Sequence, residues 1–75
     1  MSKQGKREQR IRHNPANVSL EDFEVLIKRY GEIIEGHSHT KALINNHVYP
    51  YKRQNPVNAH YVEQILKLID ELKGE

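Results

Sequence analysis

Cysteine and tryptophan are both absent from this 75-residue chain, and phenylalanine occurs once. Without a thiol there is no disulfide framework, no thiolate nucleophile and no cysteine zinc site, which excludes small disulfide scaffolds and zinc fingers. A reducing, cytoplasmic setting is the expectation. Long apolar runs are missing as well: the longest aliphatic stretch is Val25-Leu26-Ile27, against the roughly 20 residues needed to span a bilayer. The basic N-terminus is followed by no apolar segment of the kind a secretory signal carries. Neither a membrane protein nor an export substrate is therefore expected, and the length leaves room for one small core only.

What the chain does have is charge, unevenly spread. Twelve Lys and Arg against ten Asp and Glu give a formal net charge of +2, yet residues 1 to 12 carry five cations and one acid. Residues 13 to 35 carry two cations and five acids, 36 to 62 three cations and no acid, and 63 to 75 two cations and four acids. Four of the five histidines (His37, His39, His47 and His60) fall in the acid-free segment. The middle of the chain thus attracts anions while its flanks do not.

Only Met1, Ile11 and Ala16 are apolar among the first 16 residues, too few to offset the entropy of ordering them. Residues 1–15 are predicted to be a flexible basic arm, and 16–75 a single domain. Within it, Ser19-Leu20-Glu21-Asp22 resembles a capping box, and Val18 and Phe23 occupy the positions of a hydrophobic staple. Leu20, Phe23, Ile27 and Tyr30 recur at helical spacing, which predicts a helix over 20–30, with Gly31 at the permissive position beyond its end. A second helix follows from Val62, Ile65, Leu66, Ile69 and Leu72, with Asn58 as its cap, Val57 as its staple and Gly74 after its last turn.

Between the helices, residues 32–35, 40–44 and 47–51 are short and punctuated, and they read as strands. Asn45-Asn46 is suited to a two-residue turn because asparagine tolerates positive φ; Gly36-His37 is the weaker candidate for the preceding turn. The order is α-β-β-β-α, an α+β fold with a three-stranded antiparallel sheet. A turn at Asn45-Asn46 pairs Thr40 with Tyr51, Ala42 with Tyr49 and Ile44 with His47 on the face better suited to the helices. The other face receives His39, Lys41, Leu43, Val48, Pro50 and Lys52 and is expected to be basic and exposed.

A short echo joins the two halves. Arg12-His13-Asn14-Pro15-Ala16-Asn17 and Arg53-Gln54-Asn55-Pro56-Val57-Asn58 both read R-x-N-P-x-N ahead of a helix. Turn and cap chemistry accounts for it; the competing account gives both arginines to phosphate.

His37, Ser38 and His39 form the most suggestive triplet. Two histidines at i and i+2 on a strand share a face and begin a metal site, but a third ligand has to come from His47, which is predicted on the opposite face, or His60. No recognised metal spacing is completed, and no cofactor is expected. Ser38 and His39 are adjacent on a strand and point apart, which argues against a nucleophile-base dyad. His39 beside Lys41 and Lys52 suits RNA cleavage: the 2′-hydroxyl is its own nucleophile, and the protein need only move protons and stabilise phosphate charge. The competing account is a polar surface histidine among lysines. Tyr49, Tyr51 and Tyr61 either stack on bases or fill a small core, and alternation favours core for the first two.

The segments Asn14-Pro15-Ala16-Asn17-Val18, Ser19 to Phe23, Tyr30-Gly31, Gly36-His37-Ser38-His39, Val48-Tyr49-Pro50 and Tyr61 to Leu66 together resemble the HicA-type toxins of bacterial toxin-antitoxin systems. The resemblance covers nearly all the chain after Arg12. It implies a double-stranded-RNA-binding-like α-β-β-β-α fold with two helices on one sheet face. It further implies a toxin that cleaves messenger RNA and is held inactive by a HicB-type antitoxin. Of the family's Gly-Ser-His motif only Ser38-His39 matches closely, so His39 inherits the catalytic role with Ser38 as its neighbour. Gly36 is separated from Ser38 by His37, and Thr40 stands where a second histidine is common.

The reading expected from these residues is a metal-independent endoribonuclease, with His39 exchanging protons and Ser38, Lys41, Lys52 and Arg53 contacting RNA. Two alternatives are a non-catalytic RNA-binding module of the same fold and a protein-interaction domain whose cationic face meets an acidic partner.

Overall fold

The computed structural model describes residues 3–36 and 39–74. Its elements run α1 (Lys3–His13), α2 (Leu20–Tyr30), β1 (Glu32–Glu35), β2 (Thr40–Ile44), β3 (His47–Tyr51) and α3 (Ala59–Lys73). The three strands form an antiparallel sheet in the order β1-β2-β3. The α-β-β-β-α order is thus present in α2 to α3, preceded by one further helix.

Local chemistry sets the boundaries. Ser19 Oγ accepts a hydrogen bond from the Asp22 N–H at 3.1 Å and caps α2, while Asn58 Oδ1 accepts from the His60 N–H at 2.8 Å and caps α3. Gly74 ends α3 in the left-handed region, as a C-terminal glycine does. Asn45 and Asn46 both take positive φ, 53° and 64°, giving the two-residue hairpin turn whose twist matches the strands. The hairpin register is the expected one, from Thr40 opposite Tyr51 to Ile44 opposite His47.

Gly31 has a different role from the one its sequence position suggests. Its φ of −164° is extended backbone, so no left-handed cap is formed. A β-carbon there would lie 1.9 Å from the Leu43 carbonyl oxygen. Glycine is required because the end of α2 and the start of β1 press directly against β2.

The covered sheet face carries Ile33, Ala42, Tyr49 in one row and Thr40, Tyr51 in the next. Ala42, Ile44 and Tyr51 are buried with Phe23, Leu26 and Ile27 of α2 and Val62, Ile65 and Ile69 of α3. The Phe23 and Tyr51 rings meet edge to face at 5.0 Å, the favoured aromatic geometry.

The flexible arm predicted for residues 1–15 is corrected: α1 occupies most of it, and Ile11 is only 3% exposed. One apolar side chain is not the whole anchor. Glu8, 8% exposed, accepts from the Tyr30 hydroxyl at 2.6 Å, from Arg12 Nε at 3.1 Å and from Lys73 Nζ at 3.2 Å. Arg29 lies 3.6 Å away, and Arg12 also makes a two-pronged contact with Asp70 at 2.7 and 3.3 Å. Burial pushes the Glu8 carboxyl up, but the hydrogen bonds from Tyr30, Lys73 and Arg12 outweigh it and hold it below the usual 4.5. A count of apolar residues misses this anchor, because it is polar and its partners are distant in sequence.

Candidate functional site

The site expected from sequence lies where β2 begins and β3 ends. His39 precedes β2, its carbonyl accepts the Gly36 N–H at 3.2 Å, and its side chain is exposed. Antiparallel register places it one position beyond the Thr40–Tyr51 pair, opposite Lys52. His39, Pro50, Tyr51, Lys52 and Tyr61 together line a depression of about 220 Å³. Enclosed small-molecule pockets run to about 300–1,000 Å³; this hollow is smaller and open to solvent.

Its walls are held by identifiable contacts. Tyr61 on α3 meets Tyr49 edge to face at 5.9 Å. The Tyr51 hydroxyl donates to Glu24 Oε2 at 2.6 Å, and burial first, then this hydrogen bond to a carboxylate, pushes the phenol well above its usual range. Tyr51 is therefore a fixed donor and no acid-base group near neutral pH. Burial likewise raises Tyr49, with Tyr61 adding to it.

The other expected residues divide. Lys41 is exposed on the same sheet face as His39, two residues along β2 and paired with Ile34 and Pro50, but it does not line the depression. Arg53 is drawn aside: its Nε donates to Glu24 at 2.9 Å and its Nη2 to Glu35 at 2.5 Å. Hydrogen bonding to Glu35 outweighs desolvation, with Glu24 adding to it, and holds the guanidinium above its usual range. Ser38 and His37 lie outside the described residues. His47 and His60 are exposed at the starts of β3 and α3, and among the described residues no three His, Cys, Asp or Glu side chains are grouped to hold a metal ion. No described helix is long and apolar enough to cross a membrane.

The open sheet face is less uniformly basic than the hairpin alone suggests, because β1 contributes Glu32 and Ile34 to it. Ile34 is 40% exposed and Val48 54%. Among the described residues the face is apolar in the middle and cationic toward Lys41 and Lys52, the end where His39 lies. Sequence reasoning on the hairpin missed Ile34, and the alternation Glu32-Ile33-Ile34-Glu35 was the signal that could have found it. Pro50 lines the depression from the face on which the hairpin register set it, whereas Tyr61 arrives from α3, a contribution that spacing does not reveal.

Comparison with known proteins yields no neighbour: no family model matches the chain, nor does any curated protein or solved structure.

Proposed function

We propose that this protein is the toxin of a HicA-type toxin-antitoxin pair, a metal-independent endoribonuclease that cleaves messenger RNA in the cytoplasm. The observation that carries the reading is the exposed His39 imidazole beside Lys52 and Tyr61 in an open hollow of about 220 Å³. The α-β-β-β-α order is in accord with it.

In the proposed reaction the RNA 2′-hydroxyl attacks the adjacent phosphorus and the bond to the 5′-oxygen breaks. His39 exchanges the proton with the attacking or the leaving oxygen. Lys52 stabilises charge on the pentavalent phosphate, Lys41 holds the RNA backbone further along the sheet face, and Ser38 is the motif neighbour of His39. Arg53 positions Glu24, and through it Tyr51, instead of meeting the phosphate. The products carry 2′,3′-cyclic phosphate and 5′-hydroxyl ends.

Replacing His39 by Ala is expected to preserve the circular dichroism spectrum and abolish both cleavage and toxicity; wild-type cleavage by that variant overturns the assignment. Cleavage is expected to persist in excess chelator. Intact RNA after long incubation with the wild type identifies a non-catalytic RNA-binding module instead. Regulation by a HicB-type antitoxin that covers His39 is part of the proposal, supported by exposed Ile34 and Val48 next to the cationic end of the sheet. Apolar contact and acidic side chains from one partner would satisfy both.

A further inference from the structure

A larger concavity lies away from His39. It lies between α1 and the segment leading into α2, holds about 1000 Å³, and is lined by Lys6, Arg10, His13, Asn14, Asn17 and Asp22 among others. The cations of α1 fall into two sets. Arg12 is bonded to Glu8 and Asp70, and Arg7 Nε lies 3.0 Å from Asp22 Oδ1. Lys6, Arg10 and His13 are exposed and make no ion pair with any described residue. They stand at i, i+4 and i+7, on one side of the helix. The one acid lining this groove, Asp22, is already engaged by Arg7.

We infer that this groove is a second RNA contact, one that holds the sugar-phosphate backbone of single-stranded RNA away from the cleavage point; the inference rests on the ribonuclease reading for its choice of ligand. Two features fit a backbone. Unpaired cations suit phosphate, and the Asn14 and Asn17 side chains offer donors and acceptors for phosphate oxygens and 2′-hydroxyls. Both hollows border α2: Asp22 lines the groove, and Glu24 is bonded to Tyr51 of the hollow at His39.

The test uses the full chain and a fluorescent 2′-O-methyl oligoribonucleotide, which binds but has no free 2′-hydroxyl to react. Lys6→Gln with Arg10→Gln is compared with Lys28→Gln plus Lys67→Gln, an equal charge loss at exposed positions elsewhere. Because neither Lys6 nor Arg10 holds an ion pair, folding is expected to be unchanged. The groove variant is expected to lose about tenfold or more in affinity. Its slope of log affinity against log salt should fall by about 1.4, at about 0.7 per phosphate contact, while the control pair changes little. Equal losses in both variants, or none in the groove variant, overturn the site. Equally tight binding of polyglutamate, lost in the groove variant, overturns RNA as the ligand. His39→Ala is expected to bind this oligomer like the wild type, so a variant that binds normally yet still cleaves natural RNA sinks the catalytic assignment and leaves the groove standing.

Discussion

Arg12 and Arg53 open the same six-residue pattern, and each ends up bridging two carboxylates on different elements: Arg12 joins Glu8 of α1 to Asp70 of α3, and Arg53 joins Glu24 of α2 to Glu35 of β1. The lead-ins also meet, through the Val57 N–H donating to the Val18 carbonyl at 2.8 Å and the Leu20 N–H donating to the Asn55 side chain at 3.3 Å. Their surroundings differ. Glu8 is almost enclosed and also bonded by Tyr30 and Lys73, whereas Glu35 is largely exposed. Identical motif chemistry thus anchors a helix at one junction and braces the rim of the His39 hollow at the other. Burial of the acid, more than the arginine, sets how much each junction contributes.

The largest effect is expected at Glu8. Glu8→Ala leaves the Tyr30 hydroxyl and three cations without their shared acceptor, and it should lower stability by about 2 to 3 kcal/mol, below the range for a fully buried pair because the partners reach solvent. In a domain of this size that corresponds to a fall on the order of 10 °C in melting temperature. A melting curve within a degree or two of wild type would make α1 an accessory helix rather than a docked one.

Acid provides the next test. The Glu8 carboxyl lies below 4.5 in the folded protein, so its contribution is complete above the unfolded value and disappears as pH falls through the folded one. Below pH 4.5 the stability gap between wild type and Glu8→Ala should narrow. A gap that stays constant down to full protonation would show that the variant's loss is a packing effect and owes nothing to charge.

The smallest effect belongs to Arg53. Its ion pairs are exposed and screened by solvent, while Tyr51 continues to hold Glu24. Arg53→Gln should therefore leave the melting curve close to that of the wild type. It should also leave the salt dependence of RNA binding unchanged, since the guanidinium is already engaged; a slope lower by about 0.7 would return Arg53 to the phosphate contacts expected from sequence.

Those expectations mark what the chain discloses directly. Helix α2, the strands and the hairpin register were legible because Ser19, Asn45, Asn46, Asn58 and the apolar periodicity act locally, within a turn or a strand pair. Helix α1 was not, because Glu8 finds its partners at Tyr30 and Lys73, Arg12 finds one at Asp70, and Ile11 joins the common core, all matters of tertiary placement. One local sign was present, the i, i+4 pair of Glu8 and Arg12 in a run of good helix formers. At the candidate site, Lys52 could be set opposite His39 by counting, whereas Tyr61 arrives from another helix and the diversion of Arg53 depends on Glu24 and Glu35. Ion pairing across elements has no period to read.

The contact at Gly31 supplies a criterion for kinship. With the Leu43 carbonyl oxygen 1.9 Å from where a β-carbon would stand, a helix that passes into an edge strand across this single residue admits no side chain there. Any chain sharing this junction must therefore keep glycine at the equivalent position, however far the rest has drifted. A proposed relative whose helix continues into the strand through a larger residue has built the junction differently, and its likeness would have to be argued on other ground.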